Sequence, residues 1–458
     1  MQTFPPVVAR AHKAERLKEF RAGFYDCLPR WGDALFELTD AALCAPGPIS
    51  SVPALSLDPA FRRSHGSLYK ALSHGEADAE AIRDLLVRFL PAEAPLVFAI
   101  DASTWERCDA ECSPGRGFYH SASKHSAGQP IVAGWSYQWI AQLDWAPDSW
   151  TAPVDTMRIA PDADATTATV GQVRRLVGLL PDDGQVPMFV LDAGYDPAAL
   201  SHGLAGDRAQ ILVRLKSDRV FYADPSPRPA HPGRGGRPSR HAQRFKLSDP
   251  TTHPTPDATV ETEDPRYGKV TVAAWHNRHP RLGRRGRWTE HKQPPIIKGT
   301  IIRVDVEHLP KSAARGANKT LWLWWSGPAT PDLDLCWRAY LHRFDLEHSF
   351  RFTKNTLGWT TPSLRTPDQA DRWTWLIAAA YTQLRLARGA INDIRLPWER
   401  PRHPDKLTPT RVRRGFSRLH ATIGTPTNPP KSQTPGPGRP KGTRRPPRTR
   451  HPVIKKTA

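Results

Sequence analysis

The sequence predicts an α/β fold. Short apolar runs bounded by turn residues alternate with amphipathic helical stretches, and two of those runs close on an aspartate. The first is Leu96–Ile100, set between Pro95 and Asp101; the second is Val186–Leu191, which ends at Asp192. Both read as buried strands, and a carboxylate at the mouth of a central strand is where α/β sheets place ligand and metal chemistry.

The chain begins helical. Leu17, Phe20, Phe24 and Leu28 recur at spacings of three and four, so Ala9–Leu28 reads as a helix with a core-facing stripe. Residues 33–44 and 76–90 continue the pattern, and 62–75 reads as a short helix closed by a Gly turn. Arg10, Lys13, Arg16, Lys18 and Arg21 decorate the first helix, which suits either a solvated face or contact with DNA.

After the strand ending at Asp101 comes a loop-like stretch holding Cys108, Cys112, Arg116, His120, Lys124 and His125. Its Cys and His gaps leave too short a middle for a familiar zinc finger, so it reads as a basic, substrate-facing loop. Ile131–Leu143 and Trp150–Ile159 are rich in β-branched and aromatic residues and read as two further strands of a meander. Thr166–Leu180 is a helix, Val186–Leu191 a strand, and Gln210–Leu215 another. Between the last two, Gly194 frees a tight turn and Pro197 opens a helix that Asp196 can cap. The order is β-β-β-α-β-α-β.

Residues 217–329 begin with a Pro/Gly/Arg-rich loop and then alternate as strands at Lys269–Trp275, Ile297–Val306 and Thr320–Trp325. The tryptophans of the last, Trp322, Trp324 and Trp325, read first as strand core and second as stacking surfaces for an unpaired base. Asp368–Arg388 is a helix with Trp373, Leu376, Ile377, Ala380 and Leu384 inward, and Leu407–Leu419 a short last one. From residue 424 no acidic residue occurs, and this Pro, Gly, Lys, Arg and Thr tail is expected to be disordered.

The chemistry concentrates at 340–354. At about 100° per residue, Tyr340, Arg343, Glu347 and Lys354 fall within roughly 60° of one another, with Arg351 at the stripe's edge. A carboxylate flanked by cations and a phenol suits a metal ligand with phosphate-gripping neighbours; the plainer alternative is a set of i,i+4 ion pairs. Asp345 points well away from the stripe.

The spacing Y-x2-R-x3-E-x6-K at these four positions resembles the signature of one group of bacterial insertion-sequence transposases, those with an Asp-Asp-Glu (DDE) triad. The order of elements resembles the ribonuclease-H-like fold of DDE transposases and retroviral integrases, in which the first and fourth strands are neighbours. The resemblance covers about residues 95–390 and implies a mixed sheet flanked by helices, with catalytic segments 93–216 and 330–392. It further implies a β-rich insertion at 217–329; outside its span the residues themselves give a helical N-terminal segment 1–92, an extension 393–423 and the tail 424–458. Asp101, Asp192 and Glu347 would then hold two Mg²⁺ ions, with Mn²⁺ able to substitute, about 4 Å apart. Tyr340, Arg343, Arg351 and Lys354 would grip DNA phosphates. The implied activity is cutting and rejoining the ends of an insertion sequence, by a homodimer acting on terminal repeats and target DNA. A DNA nuclease of the same fold without transposition, or an inactive DNA-binding derivative, are the alternatives.

Composition agrees with a polyanionic partner: 65 Lys+Arg against 45 Asp+Glu give a formal charge of +20 and a pI near 10.1. No run of about 18 apolar residues is present, the first residues lack a signal peptide's apolar core, and five scattered Cys argue against a disulfide framework. The expected location is the cytoplasm, in association with the nucleoid, and not a membrane.

Overall fold

The computed structural model describes residues 6–120, 131–145, 149–225, 239–310, 318–431, 440, 442 and 447–455. Lys124, His125 and most of the Pro/Gly/Arg-rich loop after residue 225 lie outside the described residues. In chain order the helices and strands are α1 (Pro6–Asp26), α2 (Gly32–Cys44), α3 (Val52–Leu55), α4 (His65–His74), α5 (Ala79–Arg88), β1 (Val97–Glu106), β2 (Gly117–His120), β3 (Ile131–Leu143) and β4 (Thr151–Ile159). There follow α6 (Ala165–Leu179), β5 (Met188–Leu191), α7 (Pro197–Gly203), β6 (Gln210–Leu215), β7 (Val220–Tyr222), β8 (Arg244–Lys246), β9 (Ala258–Asp264) and β10 (Gly268–Pro280). The chain closes with β11 (Gly299–Val306), β12 (Thr320–Ser326), α8 (Leu333–His342), α9 (Phe344–Asn355), α10 (Pro367–Ala387) and α11 (Pro409–Ile423). The result is a mixed α/β architecture with a large mixed sheet flanked by helices.

The chain forms two compact units: residues 1–95, 101–163 and 345–458 make the first, and 96–100 with 164–344 the second. In the first, β3 has β1 on one edge and carries both β2 and β4 on the other, β2 along its first residues and β4 from Ser136 onward. The centre of this unit is α10. Thr366 caps it by accepting from the Gln369 amide, and Pro367 opens it. The expected inward stripe is too narrow: Thr374, Thr382 and Gln383 are buried along with the apolar residues. A helix covered all round lies inside a core, and α1, α2, α4, α5, α11 and β4 pack about it.

Two sequence expectations fail in this unit. Arg21 does not face solvent with the other cations of α1; its guanidinium is 2% exposed and ion-paired at 2.6 Å with Asp40 of α2. The tail also does not leave the fold at residue 424. Thr427 is buried and donates to Glu37 Oε1 at 3.1 Å, and the Asn428 amide donates to Asp33 at 3.1 Å. Further on, the Ile454 amide donates to the Arg116 carbonyl, and Arg116 donates in turn to the carbonyl of His451. Composition misses this because the carboxylates and carbonyls that hold the tail belong to distant segments. Residues 432–439, 441, 443–446 and 456–458 of the tail lie outside the described residues.

In the second unit the first residues of β1 run parallel to β5, and β5 runs parallel to β6. Beyond β6 the pairing turns antiparallel through β12, β11 and β10, and β10 carries both β9 and β7. The tryptophans of β12 are core: Trp322, Trp324 and Trp325 are all buried, with Phe221 stacked on Trp324. α8 packs on β5 and β10.

Candidate active site

The second aspartate sits where β5 gives way to a turn. The register Leu191↔Val213 makes Asp192 and Arg214 the next residues of two parallel strands. Arg214 Nη1 lies 3.8 Å from Asp192 Oδ1, and the Tyr340 hydroxyl donates to the same oxygen at 3.3 Å. The Asp192 carbonyl accepts the Tyr195 amide to close the turn. Asp196 is spent as expected, accepting the Ala198 and Ala199 amides at the start of α7. The Asp192 side chain stays 41% exposed, so one carboxylate of this turn is committed to backbone and the other is open.

Tyr340 brings its hydroxyl to Asp192 from α8, with the ring 2% exposed. Burial raises its pKa; the Arg343 charge opposes that rise and Asp192 adds to it, so the phenol stays a donor. Arg343 is itself 2% exposed, its guanidinium over the Phe344 ring at 4.8 Å and over Tyr340 at 5.6 Å.

The stripe from Tyr340 to Lys354 does not lie on one continuous helix. α8 ends at His342 and α9 begins at Phe344, with Arg343 between them in a turn. No Gly or Pro marks the break, so the helical period runs across it undetected. Tyr340 thus belongs to α8, while Glu347, Arg351 and Lys354 share α9. Glu347 and Arg351 are exposed, and Lys354 is half-buried. Glu347 stands in the first turn of α9, where the helix dipole favours negative charge. Asp345, set aside from the stripe, is buried.

Asp101 is not the end of its strand. β1 continues through Ser103, Thr104 and Trp105 to Glu106, because these β-favouring residues go on beside β3 after the pairing with β5 stops. That pairing ends at Ile100↔Leu191, and in each strand the next residue is an aspartate, Asp101 or Asp192. Asp101 Oδ1 accepts the Ala102 amide at 2.8 Å. Lys354 reaches the same strand, its Nζ donating to the Thr104 carbonyl at 2.9 Å with the ammonium over the Trp359 ring at 5.6 Å. Burial lowers the Lys354 pKa, opposed by the charge of Glu106.

Carboxylate oxygens are the hard donors that Mg²⁺ takes, so the chemistry of Asp101, Asp192 and Glu347 fits a divalent ion. Among the described residues, however, no group of three or more His, Cys, Asp or Glu is drawn together as a metal cluster. Cys108, Cys112 and His120 are exposed.

Sequence reasoning overlooked Arg214. Its signal was present: it is the one charged residue inside the apolar strand QILVRL.

Residues 23–281 match the family model of the DDE superfamily endonucleases, which is more than half of the chain. The chain belongs to this family, whose members are metal-dependent nucleases, and the mixed sheet flanked by helices is compatible with a ribonuclease-H-like DDE core. The matched span includes Asp101 and Asp192 and stops short of the Tyr340–Lys354 stretch. No curated protein matches the chain significantly. Among the described residues no helix is long and apolar enough to cross a membrane.

Proposed function

We propose that this chain is a DNA transposase, cutting the ends of an insertion sequence and joining them to a target, with Asp101, Asp192 and Glu347 as its metal-binding carboxylates. The observation that carries the reading is the parallel register of β1 on β5, which stops at Ile100↔Leu191 with an aspartate next on each strand. In such sheets the carboxyl ends of adjacent parallel strands are where ligands are met. When bound, Mg²⁺ ions, or Mn²⁺ in their place, would ease deprotonation of an attacking water or 3′-hydroxyl and offset charge on the leaving oxygen.

The chain's own groups have separable parts in this reading. Tyr340 donates to Asp192 Oδ1, and Arg214 stands 3.8 Å from the same oxygen, so both would steady the negative charge of that carboxylate. Exposed Arg351 and half-buried Lys354 follow Glu347 on α9 and would neutralise phosphates beside the scissile bond. Arg343 would join them only with a change in its present packing, since its guanidinium is covered by the Tyr340 and Phe344 rings. Action on two ends in concert calls for a homodimer on DNA.

The test is cleavage of a plasmid carrying the element's own ends, with Mg²⁺, by wild type and Glu347→Gln. The expected result is that the variant binds the ends without cutting them. Equal cutting by both would remove Glu347 from the site and sink the assignment. A joining assay on target DNA then separates a transposase from a nuclease of the same family.

A further inference from the structure

The loop that follows β10 carries charge that the protein itself does not neutralise. In Arg281-Leu-Gly-Arg-Arg-Gly-Arg-Trp288, Arg281, Arg284 and Arg285 are all exposed, and among the described residues their side chains make no hydrogen bond or ion pair. The end of the loop is fastened. Arg287 donates to both oxygens of Asp164 at 2.9 Å, and Trp288 is buried with its ring against His202 and His291. Gly286, at φ +57°, makes the turn between the fastened and the open part.

Three like charges within five residues repel one another, and a solvated loop ordinarily interleaves carboxylates to relieve this. Here the loop borders a cavity of about 970 Å³, on whose other walls Arg219 is also exposed. Two of the cavity's three carboxylates are spent, Asp164 on Arg287 and the α6 cap, and Asp196 on the α7 cap. Only Asp218 remains to counter the arginines, and it is exposed.

We infer that this loop is a docking surface for the sugar–phosphate backbone of double-stranded DNA, additional to the cations around Glu347. The inference rests on the proposed function for the identity of its partner. The geometry favours a polyanion over a single small anion. Residues 281–285 reach at most about 14 Å end to end, a span that meets several phosphates of a strand rising about 3.4 Å per nucleotide. Contacts to phosphates carry no base sequence directly, so the contribution is general affinity.

The experiment measures DNA affinity against salt in EDTA, so that binding is read without cleavage, for the wild type and the triple variant Arg281→Gln/Arg284→Gln/Arg285→Gln. Each phosphate contact contributes about 0.9 to the slope of log K on log salt, so the slope is expected to fall by about 2–3. The triple Arg→Lys variant keeps the charge and is expected to keep most of the slope, which separates charge from any disturbance of the fold. An unchanged slope in the Gln variant would overturn the inference, as would an equal loss in the Lys variant. A larger loss for duplex RNA than for DNA would overturn the choice of partner. Failure of Glu347→Gln to alter cleavage would leave this binding result standing and remove only the catalytic assignment.

Discussion

Replacing Arg21 by Ala removes one side of a charge pair that water does not reach. Arg21 and Asp40 side chains are 2% and 1% exposed. The guanidinium donates to both Asp40 oxygens, at 2.6 and 2.9 Å, to Gln383 Oε1 at 2.6 Å and to the Gly424 carbonyl at 3.1 Å. Removing it strands a buried carboxylate and the buried Gln383 acceptor, for which a loss of about 3–5 kcal/mol is expected. The double variant Arg21→Met/Asp40→Leu removes the stranded charge and should recover much of that loss. The sign of the pH dependence is a second test. Burial pushes the Asp40 pKa up, and the Arg21 charge with the His420 hydrogen bond more than offsets this, leaving it below the usual range. In the wild type the carboxylate's contribution is therefore full above about pH 4 and lost as pH falls further. In Arg21→Ala the burial is no longer opposed by that cation, so the carboxylate gains by protonation and the deficit shrinks as pH is lowered from 7. Urea unfolding of wild type and variant across pH 4–7 reads both. A loss below about 1 kcal/mol, or a deficit that grows on acidification, would refute the reasoning. DNA affinity of the folded variant should be unchanged, because a guanidinium so covered cannot meet a phosphate.

Two further substitutions separate stability from function. In Lys354→Met the half-buried ammonium, whose pKa is lowered by burial and whose charged form therefore costs stability at neutral pH, is removed along with its hydrogen bond to Thr104. The two effects oppose, so the urea midpoint should move by no more than about 1 kcal/mol in energy while plasmid cleavage falls at least tenfold; retained cleavage would deny Lys354 a phosphate role. Gly358 has φ +65°, and a Cβ there would stand 2.9 Å from the Ile49 side chain, so Gly358→Ala should cost about 1–3 kcal/mol in thermal or urea unfolding, whereas a neutral result would show that the turn after α9 can relax.

What was legible in the sequence is what local pattern encodes. The apolar run within Gln210–Leu215 located β6 to the residue, and a carboxylate ahead of Pro197 announced the α7 cap. All but one of the misses share a physical form: each depends on a partner on another element. Arg21 has the same local surroundings as its exposed neighbours, and only Asp40, on another helix, tells them apart. The tail is polar and basic by composition, yet Glu37 and Asp33 of α2 and the backbone around Arg116 hold it. The break at Arg343 leaves no mark because nothing at 340–347 opposes helix on either side of it. Arg214 makes the point most sharply for the candidate site. A charged residue in an apolar strand is visible in the sequence, but its neighbour is not. Only the in-register parallel pairing Leu191↔Val213 turns an odd arginine into the residue beside Asp192. Since a one-residue slip would send Arg214 to the opposite face of the sheet, the arginine constrains the register as much as the register positions the arginine.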